Sequence, residues 1–538
     1  MKRILAFGLS LLFCFVLQGQ STLPITPSEG VSTATDEVDP ASFAGTINSS
    51  DLQTHLNILA SDEFEGRETG KPGNDKAAEY ISDYFAGLGL PTVGENDSYY
   101  QRIRFNTELW RDIDMQVNSK AFRHLWDFIS FPHQNTNLEE PLLADEVIFL
   151  GYGIASEKYN DYKGVNVKDK VILIYKGEPV DSKGKSHVTG SKEMSDWTEL
   201  QKLRLAKEKG VRAVLIIEDK IKKLLRKNRQ YLIGPYVSLG DPENDPHQLA
   251  RSCYISTNVA KEIMSGNFRK IVKARKKIRK KGKARSVKIP CQLRIKHDKN
   301  LKIIAGNNVL GYIEGSDPVL KEELIVVTAH YDHLGKRGDN IYNGADDNGS
   351  GTSSVLEVAQ ALVEAKNSGA GPRRSVLVML VTGEEKGLLG SQFYTARPIF
   401  PLENTVANVN VDMVGRIDRR YKDDPNYIYV IGSNRLSTEL HEINEAMNQR
   451  YTKLKLDYKY NAKNDPNRYY YRSDHYNFAE KGIPAIFYFN GTHKDYHRTS
   501  DTVEKINFEK MEKIAKLVFH TTWELANREK RIVVDVKD

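Results

Sequence analysis

The sequence predicts an α/β fold, a mainly parallel sheet with helices on both faces, and three observations predict it. From about Asn308 onward, apolar runs at 309–313, 324–327, 376–381, 406–411, 427–431 and 483–489 alternate with helical stretches, as strands joined by helical crossovers do. The runs are β-branched and nearly continuous, which suits strands buried on both faces. Four of them stop at His or carboxylate residues, at the carboxyl edge where open α/β sheets keep their sites.

At 538 residues, 40% hydrophobic and 28% charged, the chain is globular and long enough for two or three domains. Residues 1–19 read as a signal peptide: Lys2-Arg3, an apolar run at 4–17, then small and polar residues with cleavage expected after Gly19. Cys14 lies within the run, and Leu12-Phe13 before it is a poor lipoprotein box. No other run approaches about 20 apolar residues, so no transmembrane anchor is expected in an exported, periplasmic or extracellular protein. Two cysteines remain, Cys253 and Cys291, which either pair or stay as buried thiols.

Residues 20–46 are rich in Thr, Ser, Pro and acids, as a linker is. The segment 47–113 opens with helical patterning. Ser50 is the expected cap of a helix carrying Leu52, Leu56 and Leu59, and a second helix aligns Ala77, Ile81 and Phe85 before Gly89. Between them, 64–70 is a polar loop.

From 114 to 298 the texture changes to short strands at 146–150, 170–175 and 212–217, with a helix over 197–210. No cluster of His, Cys or paired acids occurs there, and the region reads as an inserted domain of mixed strands and helices. Its end, 269–288, holds twelve Lys/Arg and no acid, so the net charge of +7 is local and the rest of the chain sums to −5. The run lacks interleaved aromatics, which argues against nucleic acid. A solvated helix and loop is the first reading, and contact with an anionic surface the second.

The remainder, 299–530, carries the chemistry. The run at 324–327 leads to His330 and Asp332. A Gly/Asn-rich loop then brings Asp346 and Asp347, followed by a helix over 352–365. The run at 376–381 leads to Glu384 and Glu385, that at 406–411 to Asp412, and that at 483–489 to His493 and His497. With too few cysteines for a thiolate site and no P-loop, His plus carboxylates suit zinc or a similar divalent ion. His330, Asp347, Glu385, Asp412 and His497 supply the five ligands that two ions with Asp347 as bridge require. Glu384, left over beside Glu385, is placed to act as general base and then acid. A last helix over 507–527 closes the fold.

These motifs resemble the family-28 metallopeptidases, the di-zinc aminopeptidase family. The resemblance rests on His330-Tyr331-Asp332, the stretch 344–351, Glu384-Glu385, 410–413 and Tyr496-His497 with Ser500-Asp501-Thr502, and on the helical lead-in that begins at His55. It implies that His330, Asp347 and Asp412 hold one zinc while Asp347, Glu385 and His497 hold the other, two Zn2+ per chain. It also implies that Asp332 orients His330, that Glu384 is the base and that Tyr496 donates to the oxyanion. His493 competes with His497, and the Tyr-His context favours His497. Asp474 and His475, in a Ser-Asp-His loop, are implied to touch substrate, or else to shape that loop. The inserted region is similar to the protease-associated domain of this family. The expected activity is an aminopeptidase acting on peptides. The alternatives are a carboxypeptidase or other amide hydrolase on the same scaffold, or a non-catalytic binding protein.

Overall fold

Alternate residues of the strand Leu324–His330 serve opposite apolar layers: Ile325, Val327 and Ala329 join one core cluster, Leu324 and Val326 another. The strands Ser375–Val381 and Thr405–Val411 flank it, both parallel to it, and all three are buried along their whole length. This is the two-sided burial that their unbroken apolar sequences demand. A computed structural model describes residues 39–239 and 246–537. The expected signal peptide, and the linker up to residue 38, lie outside the described residues.

Ala485–Phe489 adds in parallel to Thr405–Val411, and Tyr427–Ile431 runs antiparallel beside it, so the sheet is mixed at its edges. The last of the expected strands begins at Ala485 and not at 483, because Pro484 has no N–H to give the ladder. Helices Ser49–Leu59, Pro72–Gly87, Gly351–Asn367, Thr438–Met447 and Phe508–Asn527 supply residues to the larger core layer. Leu389–Ala396 and His475–Glu480 serve the smaller one on the other face, through Tyr394 and Phe478. Gly351–Asn367 is buried on nearly every side rather than on one, since it lies between the sheet and two outer helices. The cap of Ser49–Leu59 is Asn48, whose side chain accepts the amides of Ser50 and Asp51 at 3.0 Å, two residues earlier than expected.

Two long strands differ from expectation: Tyr100–Val117 was not expected at all, and of Ser286–Ile313 only the run at 309–313 was. Tyr100–Val117 and Ser286–Ile313 pair antiparallel almost throughout. The second also borders Ser375–Val381 on one side and Leu142–Leu150 on the other. They carry the sheet without a break into the parallel strands Val171–Tyr175, Ala213–Ile217 and Arg251–Ile255. These strands have apolar clusters of their own, built from residues between 113 and 295. The sequence boundaries at 113/114 and 298/299 therefore fall inside strands. The basic run forms the helix Phe268–Lys281, which buries Ile271, Ala274 and Ile278 and stops at Gly282 in the left-handed region. Cys253 and Cys291 are both buried free thiols. Among the described residues, no helix is long and apolar enough to cross a membrane.

Candidate metal centre and active site

The parallel strands deliver their terminal residues to one edge. His330 ends Leu324–His330, Glu384 and Glu385 follow Ser375–Val381 after the Thr382-Gly383 turn, and Asp412 directly follows Thr405–Val411. Asp347 comes from the Ala345–Ser350 turn that leads into Gly351–Asn367, where the Asp347–Asn348 peptide is cis. The turn is tied down on both sides. Asn348 accepts the amides of Gly351 and Met413 and donates to Val411 O at 2.9 Å. The Asp501 carboxylate accepts the amides of Asp346 and Asp347 at 3.0 and 3.2 Å.

Four side chains then converge around Asp347. His330 Nε2 lies 3.5 Å from Asp347 Oδ1 and 3.4 Å from Asp412 Oδ1. His497 Nε2 lies 3.0 Å from Asp347 Oδ2 and 3.2 Å from Glu385 Oε1. Asp347 thus faces two imidazoles with its two oxygens. Asp346, its neighbour, turns the other way: it accepts the Gly415 amide at 2.7 Å and faces His493 at 3.1 Å. His493 accordingly belongs to the support of the loop and not to the Asp347 cluster.

These contacts have an unusual character. His330 Nε2 and Glu385 Oε1 are buried and make no hydrogen bond, although carboxylates and imidazoles stand within 3.0–3.5 Å of them. Buried polar atoms in native proteins find partners. Nitrogens and oxygens that converge without hydrogen bonding match a shared cation, and the donor set of His and carboxylates suits zinc. The residues present fit two ions, with Asp347 between them.

Glu384 sits at the mouth of this cluster, with Oε2 3.9 Å from His330 Nε2 and its side chain 12% exposed. Burial pushes its carboxyl well above the usual range; His330 opposes that, while Glu385 and Asp412 add to it. Glu385, also buried, is held well below that range by His333 and His497 despite the desolvation. Neighbouring carboxyls are thereby driven apart, the arrangement that separates a proton carrier from a ligand. Ser473 Oγ donates to Asp412 Oδ2 at 2.7 Å and fixes the remaining carboxylate.

Asp332 does hold His330, but through its main chain. His330 Nδ1 meets the main-chain carbonyl of Asp332 at 3.1 Å, whereas the carboxylate is 3.8 Å away. That carboxylate accepts the Glu384 amide at 3.1 Å, the Glu385 amide at 3.4 Å and Thr69 Oγ1 at 2.8 Å. Asp332 positions the Glu-Glu turn and is fully buried.

Asp474 and His475 are likewise both fully buried, and the open pocket is lined by others. Asp474 accepts Ser391 Oγ at 2.5 Å, and His475 stacks on Phe487. They form the underside of the wall, the loop-shaping alternative. The pocket over Glu384 and Asp412 is walled by Met413, Tyr469, Arg472, Phe487, Phe489 and Tyr496. Arg472 donates to Tyr496 Oη at 3.2 Å, and the Tyr496 ring stacks on His497 at 3.9 Å. Burial raises the Tyr496 phenol well above its usual value, so it remains a donor.

Three contributors were missed by sequence reasoning. Arg67, with no exposure, donates to Tyr331 O, Asn343 O and Gly344 O at 2.7–3.0 Å, and also to Leu59 O. Thr69 reaches Asp332 from the same polar loop. His333, one residue beyond the expected pair, stands 3.0 Å from Glu385 Oε1. The Glu-Gly-Arg-Glu-Thr stretch and the second histidine of His-Tyr-Asp-His were the available signals.

Residues 308–522 match peptidase family M28. A probable leucine aminopeptidase of Trichophyton verrucosum is 32% identical over 216 residues, 39% of this chain and 56% of that one. A probable zinc metalloprotease of Pyrenophora teres is 28% identical over 263 residues, 41% of this chain and 51% of the relative. The chain thus spans about half the length of the curated relatives it matches. The solved aminopeptidase of Aneurinibacillus sp. strain AM-1 superposes with a TM-score of 0.56 at 18% identity, covering 93% of this chain and 99% of that one. That likeness shows the α/β fold.

Proposed function

Through residues 308–522 the chain belongs to peptidase family M28, and from that premise we propose an exported zinc-dependent aminopeptidase that removes N-terminal residues from peptides. The observation that carries the reading is the Asp347 carboxylate facing His330 Nε2 at 3.5 Å on one oxygen and His497 Nε2 at 3.0 Å on the other. His330, Asp347 and Asp412 would hold one zinc, and Asp347, Glu385 and His497 the second. Zinc at such a centre supplies Lewis acidity to the scissile carbonyl and lowers the pKa of the attacking water.

The chain's own residues do the rest. Glu384, its proton affinity raised by burial, accepts a proton from the attacking water and returns it to the leaving amine nitrogen. Tyr496 Oη, steadied by Arg472, donates to the oxygen on which negative charge develops. Met413, Phe487 and Phe489 offer an apolar wall to the terminal side chain. Export rests on the pattern of residues 1–19, and the 114–298 region reads as a protease-associated domain. The exposed basic face of Phe268–Lys281 is a docking strip for an anionic surface.

Arg472 favours a second reading. An exposed guanidinium at the pocket, 3.2 Å from Tyr496 Oη, is placed to pair with a substrate carboxylate, as a carboxypeptidase needs. Hydrolysis of aminoacyl-nitroanilides and of N-blocked peptides, with and without chelator and beside Glu384→Ala, separates the two. Cleavage of free but not blocked amino termini, lost in both controls, supports the aminopeptidase. Cleavage of blocked peptides from the carboxyl end moves the reading to carboxypeptidase, and no metal-dependent turnover overturns both.

A further inference from the structure

We infer that His333 is a fourth protein ligand of the metal half-site formed by Asp347, Glu385 and His497. The inference rests on the metallopeptidase reading and deepens it. His333 has no exposure, and its Nδ1 lies 3.0 Å from Glu385 Oε1 and 3.8 Å from Asp347 Oδ2. These are the same two oxygens that face His497 Nε2 at 3.2 and 3.0 Å. Two imidazoles therefore converge on one pair of carboxylate oxygens. They do so from different directions, their rings standing at 71° with centroids 5.8 Å apart.

Packing alone does not account for the ring. Neither nitrogen of His333 has a hydrogen-bond partner, which is true also of the buried His475; His475 is accounted for by its stack on Phe487, whereas His333 Nδ1 stands among the carboxylate oxygens of Glu385 and Asp347. Its approach to Glu385 is short enough for a bond but does not have the direction of one. Ligand atoms around a tetrahedral zinc with bonds of about 2.0–2.2 Å stand roughly 3.3–3.6 Å apart, and these donors lie 3.0–3.8 Å apart. The ring is also clamped: a Cβ on Gly344 would fall 2.5 Å from His333 Cδ2, and Gly344 has a φ of +56°. Only glycine lets the loop wrap this side chain so closely.

The consequence is an asymmetric centre. The Asp347/Glu385/His497/His333 half is filled by protein donors, as permanently held ions are. The His330/Asp347/Asp412 half has three donors beside Glu384 and keeps a free position, as reacting ions do.

Zinc titration of the metal-free full-length protein by calorimetry tests this, with His333→Ala beside the wild type and with thermal unfolding of both proteins in metal-free and zinc-loaded form. The wild type takes up two ions. The variant binds one of them weaker by about tenfold or more, since even outer partners of a ligand matter by that much. Its melting temperature falls in the zinc-loaded form only. Two ions bound with unchanged affinity, or an equal loss of melting temperature without metal, overturns the assignment and leaves the metallopeptidase reading intact. A wild type that binds no zinc overturns the metallopeptidase reading itself. Should the variant not fold, proton spectra of the cobalt-loaded wild type decide: three shifted, exchangeable imidazole N–H signals are expected, and two overturn the assignment.

Discussion

The Asp332 carboxylate accepts the backbone amide of Glu384 at 3.1 Å. A side chain on the loop after one strand thus sets the direction in which the Glu384 carboxyl leaves the next. Replacing Asp332 by Asn puts an amide against the Glu384 amide or removes an acceptor from Thr69. Activity is expected to fall about 10–100-fold, the usual penalty for losing such a support, mainly in kcat and with zinc content retained. Steady-state kinetics with metal analysis checks it. An unchanged kcat would show that the turn holds itself.

Arg67 is the corresponding support for the Asp347 loop. Burial lowers its pKa to about 10, so it stays charged at neutral pH. It spends its donors on carbonyls from three segments: Leu59, Tyr331 and the Asn343-Gly344 pair. Arg67→Ala leaves those carbonyls buried and unpaired, and a loss of about 3–5 kcal/mol is expected in denaturant unfolding. Arg67→Lys should rescue little, because an ammonium cannot span the fork.

How much of this was readable follows from the distance over which each signal acts. His330, Glu384 and Asp412 were legible because each ends an apolar run, so local pattern placed them at the sheet edge. Asp347 was legible through its Asn-Gly-Ser-Gly sequel, whose compact turn the structure shows in Asn348. The strand Ser286–Ile313 was hidden up to its final run at 309–313, although Val287, Ile289, Cys291, Leu293 and Ile295 alternate inward. Dense Lys and Arg on its outer face, with Pro290 within it, masked the period of two. The role of Arg67 was not legible beyond its place in the Glu-Gly-Arg-Glu-Thr stretch, since its partners lie up to 277 residues away. Asp474 and His475 stayed open between substrate contact and loop shaping, because a polar motif beside a pocket says nothing of which side of the wall it occupies.

Tyr496 is expected to act through its hydroxyl alone. Tyr496→Phe keeps the ring stacked on His497 and removes the donor, so kcat should fall about 10²–10³-fold with little change in KM. Arg472→Ala should cost less on nitroanilide substrates, where it acts only by steadying the phenol. A selective rise in KM for peptides with a free carboxyl terminus would instead assign Arg472 to substrate binding.

Acid should destabilise the protein through its buried imidazoles. Burial drives His124 and His133 down to about 4, and His297 and His475 to about 3. In the unfolded chain each titrates near 6.5. Between about pH 6.5 and those lower values the unfolded state binds more protons, so folding stability falls as pH falls, and it is fully retained above about 6.5. Each ring contributes up to about 1.4 kcal/mol per pH unit in that window. Asp161 and Asp501, raised to about 6 chiefly by burial, act with the opposite sign between about 4 and 6, so the effect is best read by difference. His475→Phe preserves the stack on Phe487 and removes one of the four rings. Denaturant unfolding of both proteins at pH 7.5, 6, 5 and 4 should show the variant gaining on the wild type at each step below about 6.5. A constant difference across the series would mean that His475 titrates in the fold as it does in the unfolded chain.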